Sequence, residues 1–250
     1  MNSSFDCLII GGGPAGLTAA TYLARFRRRT LVVDSGNSRA ALIPNTHNYP
    51  AFSGISGPNL LKKLRAQASQ YGAESRAGCV RSLDRHGEEF VAVMTDETPV
   101  TAPKVILATG IVDEKPNLPG MREFIYRGRV RFCPICDGYE AMDQHIAVIG
   151  LFKPALKKAI FLRTYSRRVT LLLMADVALQ GRICGCCRKP TWSCGARLSS
   201  TSWSRMITSR PSWRMERALC LMCSTLRWAA ACDPTWRFRS APITMTLAPC

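Results

Sequence analysis

The sequence contains no long hydrophobic run and no basic segment at its start. The longest apolar stretch, 169–179, reaches about half the length that a membrane-spanning helix needs, and it contains Asp176. No lysine or arginine precedes the apolar stretch 7–10, whereas a secretory signal begins with basic residues. We therefore expect no membrane association and a cytoplasmic, reducing location, in which cysteines serve as thiols rather than as structural disulfides.

Acidic residues are scarce, because 17 Asp and Glu stand against 34 Lys and Arg, and the chain also has 12 cysteines. Either feature alone favours a nucleic-acid-binding protein or a metal-rich module. Both are concentrated in 177–250, which holds 11 basic and 2 acidic residues, eight of the cysteines and all five tryptophans. Residues 1–176 carry a net charge of +8, which is ordinary for a cytoplasmic protein, and we expect no nucleic-acid partner.

The first recognisable unit is a strand, a glycine turn, a helix and a second strand. An apolar run at 6–10 predicts a buried strand, glycines follow at 11–16, and alanines and leucines at 17–25 predict a helix packed on a sheet. The run 30–33 predicts the second strand, with Asp34 at its end. This order is typical of a Rossmann-like dinucleotide-binding unit.

The residue types in this turn suit a pyrophosphate. Gly11 permits the tight turn, Gly13 lets the backbone approach the phosphates, and Gly16 lets the helix pack closely on the strand. The helix N-terminus offers amide donors to the phosphates, and Asp34 can accept hydrogen bonds from a ribose. The motif alone does not decide which dinucleotide binds. The candidate cofactor-binding residues of this unit are Gly11, Gly13, Pro14, Ala15, Gly16 and Asp34.

Downstream of this unit the pattern predicts one helix and then short strands. Pro58 suits the first position of an amphipathic helix that runs to about Gln70. Strands are predicted at 78–83, 89–95 and 104–108, with turns at 86–87 and 97–99. These strands predict an antiparallel layer added to the parallel sheet.

Cys133 and Cys136 form a Cys-x-x-Cys pair with Pro134 and Ile135 between them. This spacing lets one thiolate attack a mixed disulfide formed at the other, so the pair is a candidate redox centre. The same spacing also fits half of a zinc site, which needs two further ligands. Asp137 follows directly; it is either a proton relay or a simple turn residue before Gly138.

Several segments together resemble bacterial thioredoxin reductases and their relatives, in the same order along the first 170 or so residues. The matching segments are the Gly11–Gly16 turn, Asn48-Tyr49-Pro50, Val105-Ile106-Leu107-Ala108-Thr109-Gly110, 116–120 and Phe132-Cys133-Pro134-Ile135-Cys136-Asp137-Gly138. The resemblance implies an FAD-dependent disulfide oxidoreductase, commonly dimeric. It also implies that the unspecified dinucleotide is FAD. Its expected partner is a thioredoxin-like protein or a small dithiol or disulfide substrate.

The resemblance also implies roles for particular residues. The loop around Asn48 lies near the flavin, and Ala108, Thr109 and Gly110 close the first half of the FAD domain. Cys136 faces the flavin and Cys133 meets the substrate disulfide. Asp137 acts as acid or base. Pro134 and Ile135 replace the smaller residues usual between the two cysteines of this family.

A second nucleotide unit is predicted at 146–164, but its glycine turn departs from the family. The strand 146–150 ends at Gly150, and Phe152 occupies the position where a glycine lets backbone approach a pyrophosphate. We expect the Phe152 side chain to obstruct NADPH, and Pro154 to open the following helix. Relatives that keep FAD and the dithiol but pass electrons to oxygen, the dithiol oxidases, are therefore the alternative. An inactive flavoprotein fragment is the third possibility.

The segment 177–250 resembles nothing in the family and shows neither strand nor helix periodicity over 191–211 and 214–250. Cys184-x-x-Cys187 and Cys220-x-x-Cys223 have zinc-knuckle spacing, but the insert between them is long for such a site. A reading-frame shift in a GC-rich gene explains the segment better, because it enriches Arg, Cys and Trp and removes acidic residues.

The expected fold class is α/β with a Rossmann-like FAD-binding domain, formed by a parallel sheet with a small antiparallel layer, and an incomplete second Rossmann-like domain. The expected boundaries are 1–112 for the FAD-binding domain, 113–176 for the start of the NAD(P)H-type domain with the dithiol, and 177–250 for the anomalous tail. No metal site is expected.

Sequencing the gene tests the frameshift hypothesis. We expect the DNA after codon 176 to encode a family-like peptide in one of the two alternative frames. DNA without such a peptide in either frame would contradict the hypothesis.

Overall fold

A computed structural model describes residues 5–113 and 119–173, and four short strands at 193–195, 218–222, 227–228 and 245–246. The chain divides into two units by its internal contacts. Unit 1 comprises Met1–Leu42, Ile55–Val112 and Arg227–Cys250, and unit 2 comprises Ile43–Gly54 and Asp113–Leu226. Among the described residues, no helix is both long and apolar enough to cross a membrane.

Unit 1 is built on a four-stranded parallel sheet. Its strands and helices in chain order are β1 Cys7–Ile10, α1 Pro14–Arg25, β2 Thr30–Asp34, α2 Gly57–Gln70, β3 Glu74–Ala77, β4 Val80–His86, β5 Glu89–Met94, β6 Pro99–Ala102, β7 Val105–Leu107 and β8 Ile111–Val112. The sheet order is β3-β2-β1-β7. β1 lies between β2 and β7 with parallel pairing on both sides, the arrangement of a doubly wound nucleotide-binding sheet.

Alternation along β1 builds a core on each face of this sheet. Cys7 and Ile9 belong to a cluster with Ala20 and Ala24 of α1 and with Ala68 of α2. Leu8 and Ile10 point to the opposite face, as the two-residue period of a strand requires, and join a cluster formed with the antiparallel layer. The sheet is therefore covered by helices on one side and by strands on the other.

The antiparallel layer consists of β4, β5 and β6 in that order, with β15 Met245–Thr246 beside β4. The sequence did not predict β6, since it gave a turn at 97–99 and its next strand only at 104–108. The turn lies just before it, with Glu97 at φ 63°, and the strand begins at Pro99. A proline is acceptable there because it is the first residue of an edge strand and need not donate to the ladder.

The two helices of unit 1 begin close to their predicted starts. α2 is capped by Ser56, whose Oγ accepts a hydrogen bond from the Asn59 backbone N–H at 3.4 Å, with Pro58 in the first turn. α1 begins at Pro14 rather than at residue 17, so the glycine turn leads directly into the helix. The amide groups at its first turn therefore lie next to Gly13.

Unit 2 contains a second parallel sheet. Its elements in chain order are α3 Met121–Tyr126, β9 Val130–Arg131, α4 Pro134–Asp137, β10 His145–Gly150, α5 Phe152–Leu162, β11 Val169–Leu173, β12 Ser193–Gly195 and β13 Ala218–Met222, and the sheet order is β12-β11-β10-β13-β9. α5 packs on β10 and β11 through a core that includes Ala155, Ala159 and Leu162.

Strands occur in the tail, where the sequence predicted no regular structure. β13 pairs in parallel with β10 along 218–222 and also with β9. β14 Arg227–Trp228 pairs with β8 in unit 1. The residues of β13 form an unbroken apolar run without alternation, which is typical of a central parallel strand and escapes a search for periodicity. Cys220 lies on β13, whereas Cys184, Cys187 and Cys223 lie outside the described residues.

His145 makes the stability of unit 2 depend on pH. Its ring nitrogen Nε2 lies 2.8 Å from Thr170 Oγ1. Burial, and then the charge of Arg168, lower the pKa of His145 below its usual 6.5. The unfolded chain therefore takes up this proton at a higher pH than the folded chain, and stability falls as pH drops below about 6.5.

We expect the urea midpoint of the wild-type protein to fall between pH 7.5 and pH 5.5 by more than that of His145→Gln. His86→Gln is the control, since His86 is exposed at the end of β4. Equal pH dependence in wild type and His145→Gln would contradict this assignment.

Candidate functional site

The glycine turn of unit 1 is a close contact between backbone segments. Gly11 has φ +113°, a conformation that side-chain-bearing residues rarely adopt, and a Cβ there would overlap the carbonyl of Ala108. A Cβ at Gly16 would overlap the carbonyl oxygen of Gly11. β1, α1 and the chain after β7 therefore meet without intervening side chains.

Gly13 differs from these two glycines because the space beside it is open. A Cβ at Gly13 would meet only the Ser38 hydroxyl, at 3.3 Å, and its backbone has ordinary extended angles, φ −77° and ψ −178°. No side chain caps α1 at this position. An open backbone surface beside the N-terminus of a 12-residue helix fits the pyrophosphate of a dinucleotide.

Gly12 is a functional position that the motif did not single out. A Cβ there would overlap the carboxylate of Asp34. The middle glycine is therefore what allows the Asp34 side chain to lie against the turn. The run of three consecutive glycines is the sequence signal that could have revealed it.

Asp34 lies at the end of β2 and is held by two donors. Its Oδ2 forms an ion pair with Arg65 Nη2 of α2 at 2.7 Å, and its Oδ1 accepts the Gly36 backbone N–H at 3.0 Å. The Asp34 side chain is 13% exposed and that of Arg65 is 44% exposed. Sequence reasoning missed Arg65, since an arginine on a helix surface carries no motif.

The segment Ala108-Thr109-Gly110 lies at the same turn. The Ala108 backbone N–H donates to the Ile10 carbonyl at 2.8 Å, and a Cβ at Gly16 would lie 3.2 Å from the Ala108 methyl. The structure therefore brings Ala108 together with Gly11 and Gly16. A Cβ at Gly110 would meet nothing within 4 Å.

Cys133 and Cys136 form a disulfide in unit 2, with their Cα atoms 5.2 Å apart. Cys133 is the N-cap of α4, and its Sγ accepts the backbone N–H of Cys136 at 3.1 Å. The two flanking apolar side chains are exposed, Ile135 at 78% and Tyr139 at 71%. The pair is thus a half-buried disulfide in a short helical turn, with exposed apolar side chains beside it.

Asp137 is anchored on both its backbone and its side chain. Its N–H donates to the Cys133 carbonyl at 3.1 Å, and its Oδ1 accepts from Arg131 Nη1 at 2.7 Å. Arg131 lies on β9 and also donates from Nε to the Gly128 carbonyl at 3.0 Å. Both members of the ion pair are largely shielded, with side chains 16–18% exposed. Arg131, too, was not predicted from the sequence.

Asn48 contacts the dithiol turn. Its Nδ2 donates to the Cys136 carbonyl at 3.3 Å, and its Oδ1 accepts the Thr46 hydroxyl at 2.6 Å. The sequence placed Asn48 near a flavin through the family resemblance. The described contacts show that Asn48 also holds the carbonyl of Cys136.

The second predicted nucleotide turn, after β10, differs from expectation in one respect. Phe152 is the first residue of α5, and its side chain is half-buried against the core that contains Val148 and Leu162, so it is directed into the unit. Pro154 lies in the first turn of α5 rather than at its start. Leu151, just before the helix, is 45% exposed.

The remaining candidates in the described regions add no metal chemistry. No group of three His, Cys, Asp or Glu side chains within 5–113 and 119–173 is placed to hold a metal ion. Cys7 is buried in β1, where burial, and then the charge of Asp6, raise the pKa of its thiol. Cys7 is therefore a poor nucleophile.

Comparison with curated proteins gives two relatives with reductase names. The chain is 39% identical over 174 residues to the bifunctional thioredoxin reductase/thioredoxin of Mycobacterium leprae, covering 68% of this chain and 38% of that protein. It is 38% identical over 191 residues to the thioredoxin reductase of Streptomyces coelicolor, covering 73% of this chain and 59% of that one. The chain thus spans well under two thirds of either relative.

Two solved structures, HlmI and a thioredoxin reductase, superpose on this fold. HlmI matches with 35% identity and a TM-score of 0.62, over 69% of this chain and 55% of that chain. The thioredoxin reductase from Streptococcus pyogenes matches with 25% identity and a TM-score of 0.65, over 89% of this chain and 65% of that one. The model of one protein family, the pyridine nucleotide-disulphide oxidoreductases, matches residues 5–184. The glycine turn, the two parallel sheets and the sequence matches agree, and the chain belongs to the pyridine nucleotide-disulphide oxidoreductase family.

Proposed function

We propose that this protein is an FAD-dependent disulfide oxidoreductase of thioredoxin-reductase type. The observation that carries the proposal is the half-buried Cys133–Cys136 disulfide, in a chain whose first glycine turn leaves backbone open for a dinucleotide. FAD, when bound, supplies a two-electron redox partner for the cysteine pair. Relatives named thioredoxin reductases support a thioredoxin-like partner or a small dithiol or disulfide substrate.

The residues proposed to hold FAD lie on the elements around β1. The open face beside Gly13 and the first turn of α1 take the pyrophosphate, and Asp34 takes the ribose. Asn48 is assigned to the flavin by resemblance. The full proposed set is Gly11, Gly13, Pro14, Ala15, Gly16, Asp34, Asn48, Ala108, Thr109 and Gly110.

The two cysteines carry the exchange with the partner. The Cys133 thiolate attacks one sulfur of the partner disulfide, forming a mixed disulfide and releasing one partner thiolate. The Cys136 thiolate then attacks Cys133 Sγ, which releases the second partner thiolate and restores the Cys133–Cys136 disulfide. Two electrons pass to the partner. In the disulfide, the backbone N–H of Cys136 donates to Cys133 Sγ; a donor at this position of a helical turn is the kind of contact that favours a thiolate.

Asp137 is proposed to exchange protons with the thiols. Its ion pair with Arg131 holds the side chain in place, and a carboxylate is a group that can accept a proton from a thiol. The assignment rests on the position of Asp137, which directly follows Cys136 in the same helical turn. Asn48 keeps this turn in place through the Cys136 carbonyl.

The electron donor separates the main proposal from its alternative. A reductase draws electrons from NADPH bound at the turn after β10, whereas a dithiol oxidase takes them from a reduced substrate and delivers them to oxygen. The observation that favours the oxidase is the pair Leu151 and Phe152, in the turn where the family has glycines. The packing of Phe152 against the core favours the reductase, since a ring held there obstructs the turn less than one directed into solvent.

Three measurements on the flavin-loaded protein test the proposal. NADPH consumption with a thioredoxin disulfide supports the reductase. Oxygen uptake with dithiothreitol and without NADPH supports the oxidase. Neither activity, with or without bound flavin, would contradict both and leave an inactive fragment.

Cys133→Ser and Cys136→Ser are each expected to lower the rate of whichever reaction the wild type catalyses, by roughly a hundredfold or more. Each variant removes one of the two sulfurs that take part in the disulfide exchange. The matched control is Cys7→Ala, which removes a buried thiol of unit 1 and should keep turnover. Turnover that survives in both serine variants would contradict the role of the pair.

Two glycine variants separate cofactor binding from folding. Gly13→Ala should weaken FAD binding with little loss of stability, since its methyl group enters open space beside Ser38. Gly16→Ala should destabilise unit 1 by about 1–3 kcal/mol, because its methyl group overlaps the Gly11 carbonyl. Flavin fluorescence titration and urea unfolding measure the two effects. Undiminished FAD binding by Gly13→Ala would contradict the assigned phosphate position.

A further inference from the structure

We infer that Arg65 is a positioning residue of the FAD site, acting through Asp34 on the adenosine end of the cofactor. The inference rests on the proposed function, since it assumes that the first glycine turn holds FAD. The observation behind it is the 2.7 Å ion pair between Arg65 Nη2 and Asp34 Oδ2, at the end of β2.

The structure fixes the Asp34 carboxylate on three sides. Oδ1 accepts the Gly36 N–H at 3.0 Å, Oδ2 accepts from Arg65, and the carboxylate lies against Gly12 so closely that a methyl group would not fit. The carboxylate therefore has one orientation before any ligand arrives. A group that is already oriented loses less conformational freedom when it binds.

The carboxylate keeps the capacity to bind a ribose after these contacts. Two carboxylate oxygens offer about four acceptor positions, and the two donors from the protein use two of them. The remaining positions can accept the two hydroxyls of a ribose. Arg65 supports this arrangement because its guanidinium holds the carboxylate in one orientation, and a carboxylate accepts stronger hydrogen bonds than a neutral group does.

The pair is more shielded on the Asp34 side than on the Arg65 side. Asp34 is 13% exposed, whereas Arg65, on the exposed face of α2, is 44% exposed. Partial solvent screening limits the strength of the ion pair. We therefore expect a moderate contribution to cofactor affinity rather than an absolute requirement.

A comparison of FAD with FMN tests this inference, because FMN lacks the adenosine that Asp34 is proposed to bind. The full chain, freed of flavin, is titrated with each cofactor by fluorescence. Arg65→Gln should raise the FAD dissociation constant by about two- to fivefold and leave that of FMN unchanged. Arg65→Lys, which keeps the charge, should recover part of the loss.

The matched control is Arg81→Gln. Arg81 pairs with Glu97 at 2.6 Å in the same unit, on the antiparallel layer, with both side chains more than half exposed. This variant removes an arginine–carboxylate pair of the same kind and should bind FAD as the wild type does. An additional Arg65→Gln in an Asp34→Asn background should have little further effect, since the arginine acts through the carboxylate.

The outcomes distinguish this inference from the proposed function. Wild-type protein that binds no FAD overturns both. Wild-type protein that binds FAD, with an unchanged or tighter affinity in Arg65→Gln, overturns only the role of Arg65. An equal loss of FAD and FMN binding also overturns it, because a general structural defect does not distinguish the two cofactors.

Discussion

The close approach of backbone at Gly11 and Gly16 is the constraint on which unit 1 depends. Where β1 turns into α1, the helix sits directly on the turn and the segment after β7 crosses beside it, with no side chain between them. This contact brings the helix N-terminus, the open backbone at Gly13 and the end of β2 to one edge of the parallel sheet. Ligands of doubly wound sheets bind at that edge, outside the carboxyl ends of the strands.

The dithiol of unit 2 depends on a different kind of constraint, a small network of polar contacts around a four-residue helical turn. Asn48 holds the Cys136 carbonyl, the Cys136 N–H points at Cys133 Sγ, and Arg131 holds Asp137. These contacts order the turn, while the Ile135 and Tyr139 side chains beside it are exposed. Reactive disulfides combine an ordered sulfur pair with access in this way.

Sequence patterns predicted the glycine turn, the dithiol and most strands because each is a local signal. They missed Arg65 and Arg131, since each acts on a carboxylate through a contact that the fold creates, in one case across 31 residues of sequence. They missed β6 because it begins at a proline, and they missed β13 because its residues form an apolar run without strand alternation. The packing of the Phe152 ring was not predicted for a similar reason: the sequence identifies the residue at a turn position, whereas packing against the core decides where its ring lies.

The central claim is that a bound flavin and the Cys133–Cys136 disulfide share electrons within one chain. An anaerobic titration of the flavin-loaded protein with dithionite, followed by flavin absorbance and by thiol counting, tests it most directly. A two-electron flavin and a two-electron disulfide predict uptake of about four electrons per chain, with the appearance of two new thiols. Uptake of about two electrons, with the disulfide left intact when the flavin is fully reduced, would contradict the account.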